Sequence, residues 1–257
     1  MFALVKKYLG LIREGNSLKD KIAIAIYAFN FLWNRLSNHK CYTLICDVTL
    51  KNRDGIFFCG NNIFSVFIGS SFHELKIRRY FDLNKGVFVD IGANIGKYTI
   101  IMGKKLKDKG KVIAIEPEKK NFEILKKNVE LNGLDNVILI NAACFSKEKK
   151  LKFYLDKRAG SHSFYQEKVK SSKAITVQAK RLDKILSELK IKKVDLIKMD
   201  VEGAEAEVLK GATRILKSHP KIIFEAWDEN YLKKVKKVLK PFNYKIKKID
   251  ETNFFAY

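Results

Sequence analysis

From Gly86 onward, short apolar runs alternate with longer segments whose apolar positions recur every third or fourth residue. The runs at 87–91, 111–116, 137–141, 194–199 and 221–226 read as buried strands. The segments near 95–107, 119–132, 183–190, 204–217 and 229–239 read as amphipathic helices. Parallel strands need crossovers, so this alternation predicts an α/β, doubly wound, mainly parallel sheet with helices on both faces. Tyr244–Ile249 and Asn253–Tyr257 have only the turn-like Asp250, Glu251 and Thr252 between them, which predicts an antiparallel hairpin that completes seven strands.

The pattern differs before Gly86. Phe2, Val5, Leu9 and Ile12 share one helical face with Lys6, Lys7 and Arg13 mostly off it, and a second apolar segment follows Ser17. Packing of this stripe on its own domain is favoured over contact with an anionic membrane or service as a substrate cap. Tyr42–Val48 and Phe64–Ile68 are β-rich and flank turn signals at Asn52–Gly55 and Gly60–Asn62, which predicts an antiparallel meander; His73–Phe81 reads as a short helix. Three stretches result: a helical extension at 1–40, a β-rich segment with a short helix at 41–85, and the main α/β domain at 86–257. Between the third and fourth domain strands, an insertion at about 147–181 reads as a hairpin, Leu151–Leu155 with Ala174–Ala179, carrying a mobile loop around Gly160–Ser163. Loops at such a rim often cover ligand, so His162 is a candidate substrate contact.

At 257 residues and 47% hydrophobic, the chain suits one large α/β domain with an elaboration and excludes wholesale disorder. A formal charge of +23 would attract phosphate, lipid or nucleic acid. Lysine far outnumbers arginine, however, and specific phosphate or base recognition leans on arginine forks, so a solvated lysine-rich surface is favoured over an RNA site. Cys41, Cys46, Cys59 and Cys144 show neither a C-x-x-C pair nor a His at finger spacing, which points to free thiols rather than zinc or disulfides, and no metal centre is expected. No cleavable signal peptide is visible, and Ile22–Trp33 is shorter than the about 20 residues that span a bilayer, so a cytoplasmic location is expected.

Function is written most plainly in Val87-Phe88-Val89-Asp90-Ile91-Gly92-Ala93-Asn94-Ile95-Gly96-Lys97-Tyr98-Thr99. An apolar strand ends on a carboxylate, turns through two glycines and enters a helix. Such a turn lets backbone approach a nucleotide-like ligand, with Gly92, Ala93, Asn94, Gly96 and Thr99 as candidate contacts. A dinucleotide turn sets pyrophosphate against the helix N-terminus, with its acidic residue about 20 positions further on. Asp90 instead stands before the turn, where it would repel pyrophosphate but suits the ammonium and sulfonium of S-adenosyl-L-methionine. Lys111–Glu116 reads as the next strand, ending on a carboxylate placed to chelate ribose hydroxyls, with Pro117 stopping the strand. Asn141 and Ala142 close the third strand, where the amide can reach adenine or ribose.

Leu196-Ile197-Lys198-Met199-Asp200-Val201-Glu202-Gly203-Ala204-Glu205 ends the fourth strand in carboxylates. Asp200 and Glu202 share a side if the chain stays extended, and each is a candidate base, metal ligand or donor-binding group; the competing view is that Glu202–Glu205 fill the next helix's first turn, where anions suit the dipole. Glu225 and Trp227 end the fifth strand as candidate substrate contacts.

Together these pieces resemble the FkbM-type family of class I S-adenosylmethionine-dependent methyltransferases. The resemblance rests on Val89–Gly96, Ala114–Pro117, Asn121–Asn128, Ile138–Ala143, Asp195–Glu205 and Val208–Ala212, and covers about Phe72–Phe224. It implies a Rossmann-like fold and O-methylation, commonly of sugar or secondary-metabolite hydroxyls, with Asp90, Gly92, Asn94, Gly96, Glu116 and Asn141 around the cofactor. A small-molecule or glycan acceptor is therefore expected. An RNA acceptor and an NAD-dependent oxidoreductase are the alternatives.

Overall fold

The computed structural model describes residues 2–33, 43–156, 162–166 and 173–257. Cys41, residues 34–40 of the predicted helical extension, and Gly160 and Ser161 of the predicted loop lie outside them.

Two helices open the chain, α1 (Phe2–Glu14) and α2 (Leu18–Trp33). Ser17 and Asp20 cap α2 reciprocally: the Asp20 carboxylate accepts the Ser17 N–H at 2.8 Å, and Ser17 Oγ accepts the Asp20 N–H at 3.2 Å. The other Asp20 oxygen accepts the Thr49 N–H, which ties α2 to the following hairpin. The buried face of α1 is centred on Tyr8 and Leu11, with Leu9 half exposed, so the predicted stripe is rotated.

Strands β1 (Thr43–Asn52) and β2 (Gly55–Asn62) pair antiparallel around the predicted Asn52–Gly55 turn. Phe64–Ile68 is not a strand. It lies in α3 (Ile63–Gly69), because Asn62 accepts the Phe64 N–H as an N-cap and Ile63, Val66 and Gly69 bury at helical spacing. A hairpin therefore replaces the meander, and Asn62 ends β2 rather than forming a turn. His73–Phe81 holds only turns and a 3-10 segment, Arg78–Tyr80, with Glu74 at φ 47°.

The main sheet contains β3 (Gly86–Ile91), β4 (Gly110–Ile115) and β5 (Val137–Ile140), reached through α4 (Lys97–Leu106) and α5 (Lys119–Leu131). A three-stranded sheet absent from the sequence-based expectation follows, with β6 (Ala143–Cys144), β7 (Lys149–Tyr154) and β8 (Ala174–Lys180), in which β7 and β8 form the predicted hairpin. Then come α6 (Leu182–Glu188), β9 (Leu196–Met199), α7 (Glu205–Lys210), α8 (Thr213–Leu216), β10 (Lys221–Glu225), α9 (Glu229–Leu239), β11 (Ile246–Lys248) and β12 (Asn253–Ala256). The predicted helix 204–217 is interrupted at Gly211, whose backbone lies so near the Phe145 carbonyl that a Cβ would sit 2.3 Å from that oxygen.

Sheet order is β11-β12-β10-β9-β3-β4-β5, parallel except for β12, which runs against both of its neighbours. The order reverses between β3 and β9, and a doubly wound sheet opens its ligand crevice beyond the carboxyl ends at such a point. Helices α6 to α9 cover one face; α3, α5 and the two opening helices contribute to a second apolar cluster that includes Ala93, Ile95 and Leu125.

The extension is joined to the sheet domain by charge as well as packing. Asp54, in the hairpin turn, accepts hydrogen bonds from Arg78 at 2.8 Å and from Lys97 Nζ at 2.7 Å, and Lys97 also donates to the Ser70 carbonyl. Lys97 is fully buried in the first turn of α4. Burial works against the Asp54 charge, but Arg78 and Lys97 hold its carboxyl below the ordinary range.

Candidate active site

A cavity of about 290 Å³ opens beyond the carboxyl ends of β3, β4, β9 and β10. Parallel pairing of β3 with β4 puts Asp90 opposite Ala114 and Ile91 opposite Ile115, so Asp90 and Glu116 end adjacent strands. Both carboxylates line the cavity and both are buried.

Asp90 is held by Thr99, whose hydroxyl donates to Oδ2 at 2.7 Å, whereas Oδ1 is buried with no hydrogen-bond partner. Burial pushes this carboxyl above its ordinary range, with the Lys198 ammonium and Thr99 opposing. A buried carboxylate oxygen left in this way favours a cationic donor group, and the ammonium of S-adenosylmethionine has that chemistry. Glu116 accepts the Asn94 N–H on one oxygen and the Glu118 N–H on the other, each at 2.9 Å. Each oxygen keeps a lone pair, so a ribose diol fits. Burial lifts Glu116 to about 7 despite those two bonds.

The glycine turn takes its shape from close approach. Gly92 has φ 76°, and a Cβ there would lie 1.9 Å from the Asp200 carbonyl oxygen. Asn94 also adopts positive φ, and Gly96, at φ 93°, starts α4 against Leu125. Gly92, Ala93, Asn94, Pro117 and Ala142 line the cavity. Gly96, Thr99 and Asn141 do not: the Thr99 hydroxyl donates to Asp90, and the Asn141 amide donates to the Glu116 and Pro117 carbonyls.

Asp200, Glu202 and Glu225 converge, with one carboxylate oxygen of each within 4.8 Å of the others. The expected reason for the first two does not hold, because the chain is not extended beyond Met199. Glu202 sits at φ 54° and Gly203 at φ 99°, and this turn brings Glu202 to the cavity. Glu205 takes the helix-starting role instead, accepting the Val201 and Gly203 N–H groups. Burial and the Asp200 charge raise Glu225 to about 8.

Lys198 was not singled out from the sequence. It is buried, lines the cavity and places Nζ 3.0 Å from Asp200 Oδ2. Burial alone would lower its pKa, yet Asp200, Glu74 and Asp90 around it raise it overall. The overlooked signal is a lysine inside an apolar parallel strand, where a charge must find partners. Glu74 closes this network, accepting the Tyr98 hydroxyl at 2.6 Å and pairing with His73 at 3.2 Å; despite burial, these partners and Lys198 hold its carboxyl down at about 2.

The remaining wall is apolar. Phe64, Phe67 and Ile68 of α3 face the cavity together with Phe153 and Phe164. Trp227 lines it at 43% exposure. His162 lines it too, its Nδ1 accepting the Asp156 N–H at 3.0 Å and its pKa lowered by burial, so the neutral ring carries its proton on Nε2. Cys46, Cys59 and Cys144 are free thiols.

Residues 90–246 match the family model described as the methyltransferase FkbM domain. Methyltransferase 1 of Beauveria bassiana is 30% identical over 161 residues, covering 54% of this chain and 64% of that protein. The hexuronic acid methyltransferase AglP of Haloferax volcanii is 30% identical over 141 residues, 54% of this chain and 55% of AglP. The chain thus spans less than two thirds of either relative. The crystal structure of methyltransferase FkbM from Methylobacillus flagellatus superposes with a TM-score of 0.52 at 16% identity, covering 98% of this chain and 58% of that one, which shows a shared fold. Because the matched stretch takes in more than half of the chain, this protein belongs to the FkbM methyltransferase domain family.

Proposed function

We propose that the chain transfers the methyl group of S-adenosylmethionine to a hydroxyl of a small molecule or glycan, with residues 86–257 carrying the donor site. The observation that carries this reading is the pair Asp90 and Glu116, buried at the tips of adjacent parallel strands, one with an oxygen lacking a partner. Asp90 would receive the donor's ammonium and Glu116 its ribose hydroxyls. When bound, the donor supplies an electrophilic methyl on a sulfonium. A pyrophosphate would meet two carboxylates there, which disfavours the nicotinamide alternative.

On the acceptor side, Asp200 would take the proton of the attacking hydroxyl as the hydroxyl oxygen bonds the methyl carbon and the carbon–sulfur bond breaks, its electron pair leaving with S-adenosylhomocysteine. Lys198 orients Asp200 through the 3.0 Å contact of Nζ with Oδ2. Glu225, raised to about 8, holds its own proton at neutral pH and so limits like-charge repulsion in the cluster. Lys198 already provides the positive charge that Asp200 needs, and the reaction is read as metal-independent. Trp227 offers a flat face on which a sugar ring can stack, and the relation to a hexuronic acid methyltransferase supports a sugar acceptor. Glu202 and His162 complete the proposed acceptor contacts.

Isothermal titration with S-adenosylhomocysteine tests the donor assignment. Asp90→Ala should abolish binding. Full affinity in that variant, or a thermal shift with NADH and none with the homocysteine product, would overturn it. For the acceptor, the +23 charge makes RNA the competitor, and log affinity that does not fall with log salt would remove it.

A further inference from the structure

Helix α2 is apolar on two opposite faces. Its inner face, Ala23, Ile24, Tyr27 and Ala28, is buried against α1 and the hairpin. On the other side, Leu18 is 74% exposed, Ile22 48% and Ile26 38%. At about 3.6 residues per turn these three form one stripe, and Lys19 and Lys21, both exposed, fall on either side of it. A helix that is apolar all round is ordinarily covered all round.

The charges say by what. Lys6, Lys7, Arg13, Lys19 and Lys21 are exposed on this helix pair. Its acids turn inward: Asp20 is buried as the cap of α2, and Glu14 bonds Ser71 and Asn52 across the fold. The pair therefore presents apolar side chains framed by cations alone. Such a face suits an anionic lipid surface, where the stripe enters the acyl boundary and lysines reach up to headgroups. A second copy would bring lysines against lysines, and an aliphatic stripe offers RNA nothing to pair with. We propose that α2 is the surface through which this protein binds peripherally to an anionic bilayer. Among the described residues no helix is long and apolar enough to cross one.

The contact would not be remote from the cavity. Tyr27 of α2 meets Tyr8 of α1 at 6.2 Å between ring centroids, and Tyr8 meets Phe67 of the cavity wall at 5.8 Å.

Co-sedimentation of the full chain with phosphatidylcholine vesicles, with and without phosphatidylglycerol, tests the proposal. Binding should require phosphatidylglycerol and weaken with salt. Replacing both Leu18→Ser and Ile22→Ser should reduce partitioning by on the order of tenfold or more, and Lys19→Glu with Lys21→Glu should do the same, while the thermal midpoint of each variant stays at the parent value. Equal partitioning of parent and variants would overturn the proposal. So would a lipid-free dimer that dissociates in the serine variant, or RNA binding without vesicle binding.

Discussion

Lys198 sets its ammonium 3.0 Å from the carboxylate of Asp200, two positions further along the same strand exit. The same lysine faces Glu74 and Asp90. Replacing it by Met should leave three acids without their common cation and lower stability by about 3 kcal/mol, read as a shift in the urea midpoint. An unshifted midpoint would show that the acids do not depend on it.

Asp200 itself is expected to matter for turnover more than for folding. Asp200→Asn keeps shape and loses basicity, so turnover should fall by about 100-fold or more with the urea midpoint nearly unchanged. Parental turnover would pass the role of base to Glu202.

Two glycines give a matched comparison. Gly92→Ala would drive a methyl group into the Asp200 carbonyl at positive φ, and a loss of about 2 kcal/mol or more is expected, together with weakened S-adenosylhomocysteine binding. Gly133 also has positive φ, at 59°, but an added Cβ meets nothing within 4 Å, so only the backbone cost of about 1 kcal/mol remains. Equal losses would mean that conformation, not the approach of the Asp200 backbone, decides the Gly92 position.

Donor affinity should carry the titration of Glu116. In the folded protein this carboxyl holds its proton up to about pH 7, against an ordinary value of 4.5. Its contribution to the stability of the ligand-free protein is therefore complete below 4.5 and is lost as pH rises to about 7. Ribose hydroxyls donate to the anion, so S-adenosylhomocysteine binding should strengthen by up to about tenfold per unit as pH rises toward 7 and level off above it. Calorimetry across that range checks the slope, and a flat profile would mean that Glu116 is ionised throughout.

If Lys198 supplies the positive charge in the acidic cluster, turnover should survive EDTA and show no dependence on added magnesium. Loss of activity restored by magnesium would reassign Asp200, Glu202 and Glu225 as its ligands.

What could be read beforehand follows from periodicity and local chemistry. Strands β3, β4, β9 and β10 are short, mainly apolar runs, so their succession and type were legible, as were the carboxylates at their tips, Asp90, Glu116, Asp200 and Glu225. Phe64–Ile68 misled because a run of bulky apolar residues serves a strand or a buried helix equally well, and a single Asn62 cap decided between them. Tertiary convergence was beyond reach. Glu202 meets Asp200 through a left-handed turn, and Phe64, Phe67 and Glu74 come to the cavity from a segment well before the motif. A hydroxyl or amide near a nucleotide turn reads the same in sequence whether it meets the ligand or braces a neighbour, so the bonds of Thr99 to Asp90 and of Asn141 to the Glu116 and Pro117 carbonyls were not legible there.

The buried bond between Lys97 and Asp54 has a practical corollary for anyone cutting or recombining this chain. A fragment beginning at the family-matched stretch would cut into β3 and remove Asp54 together with Gly69 and Ser70, so the first turn of α4 would lose every partner of the Lys97 ammonium and the cover that buries it. The upstream hairpin behaves as the missing half of that helix's foundation, so grafts and truncations should carry both sides of the joint together.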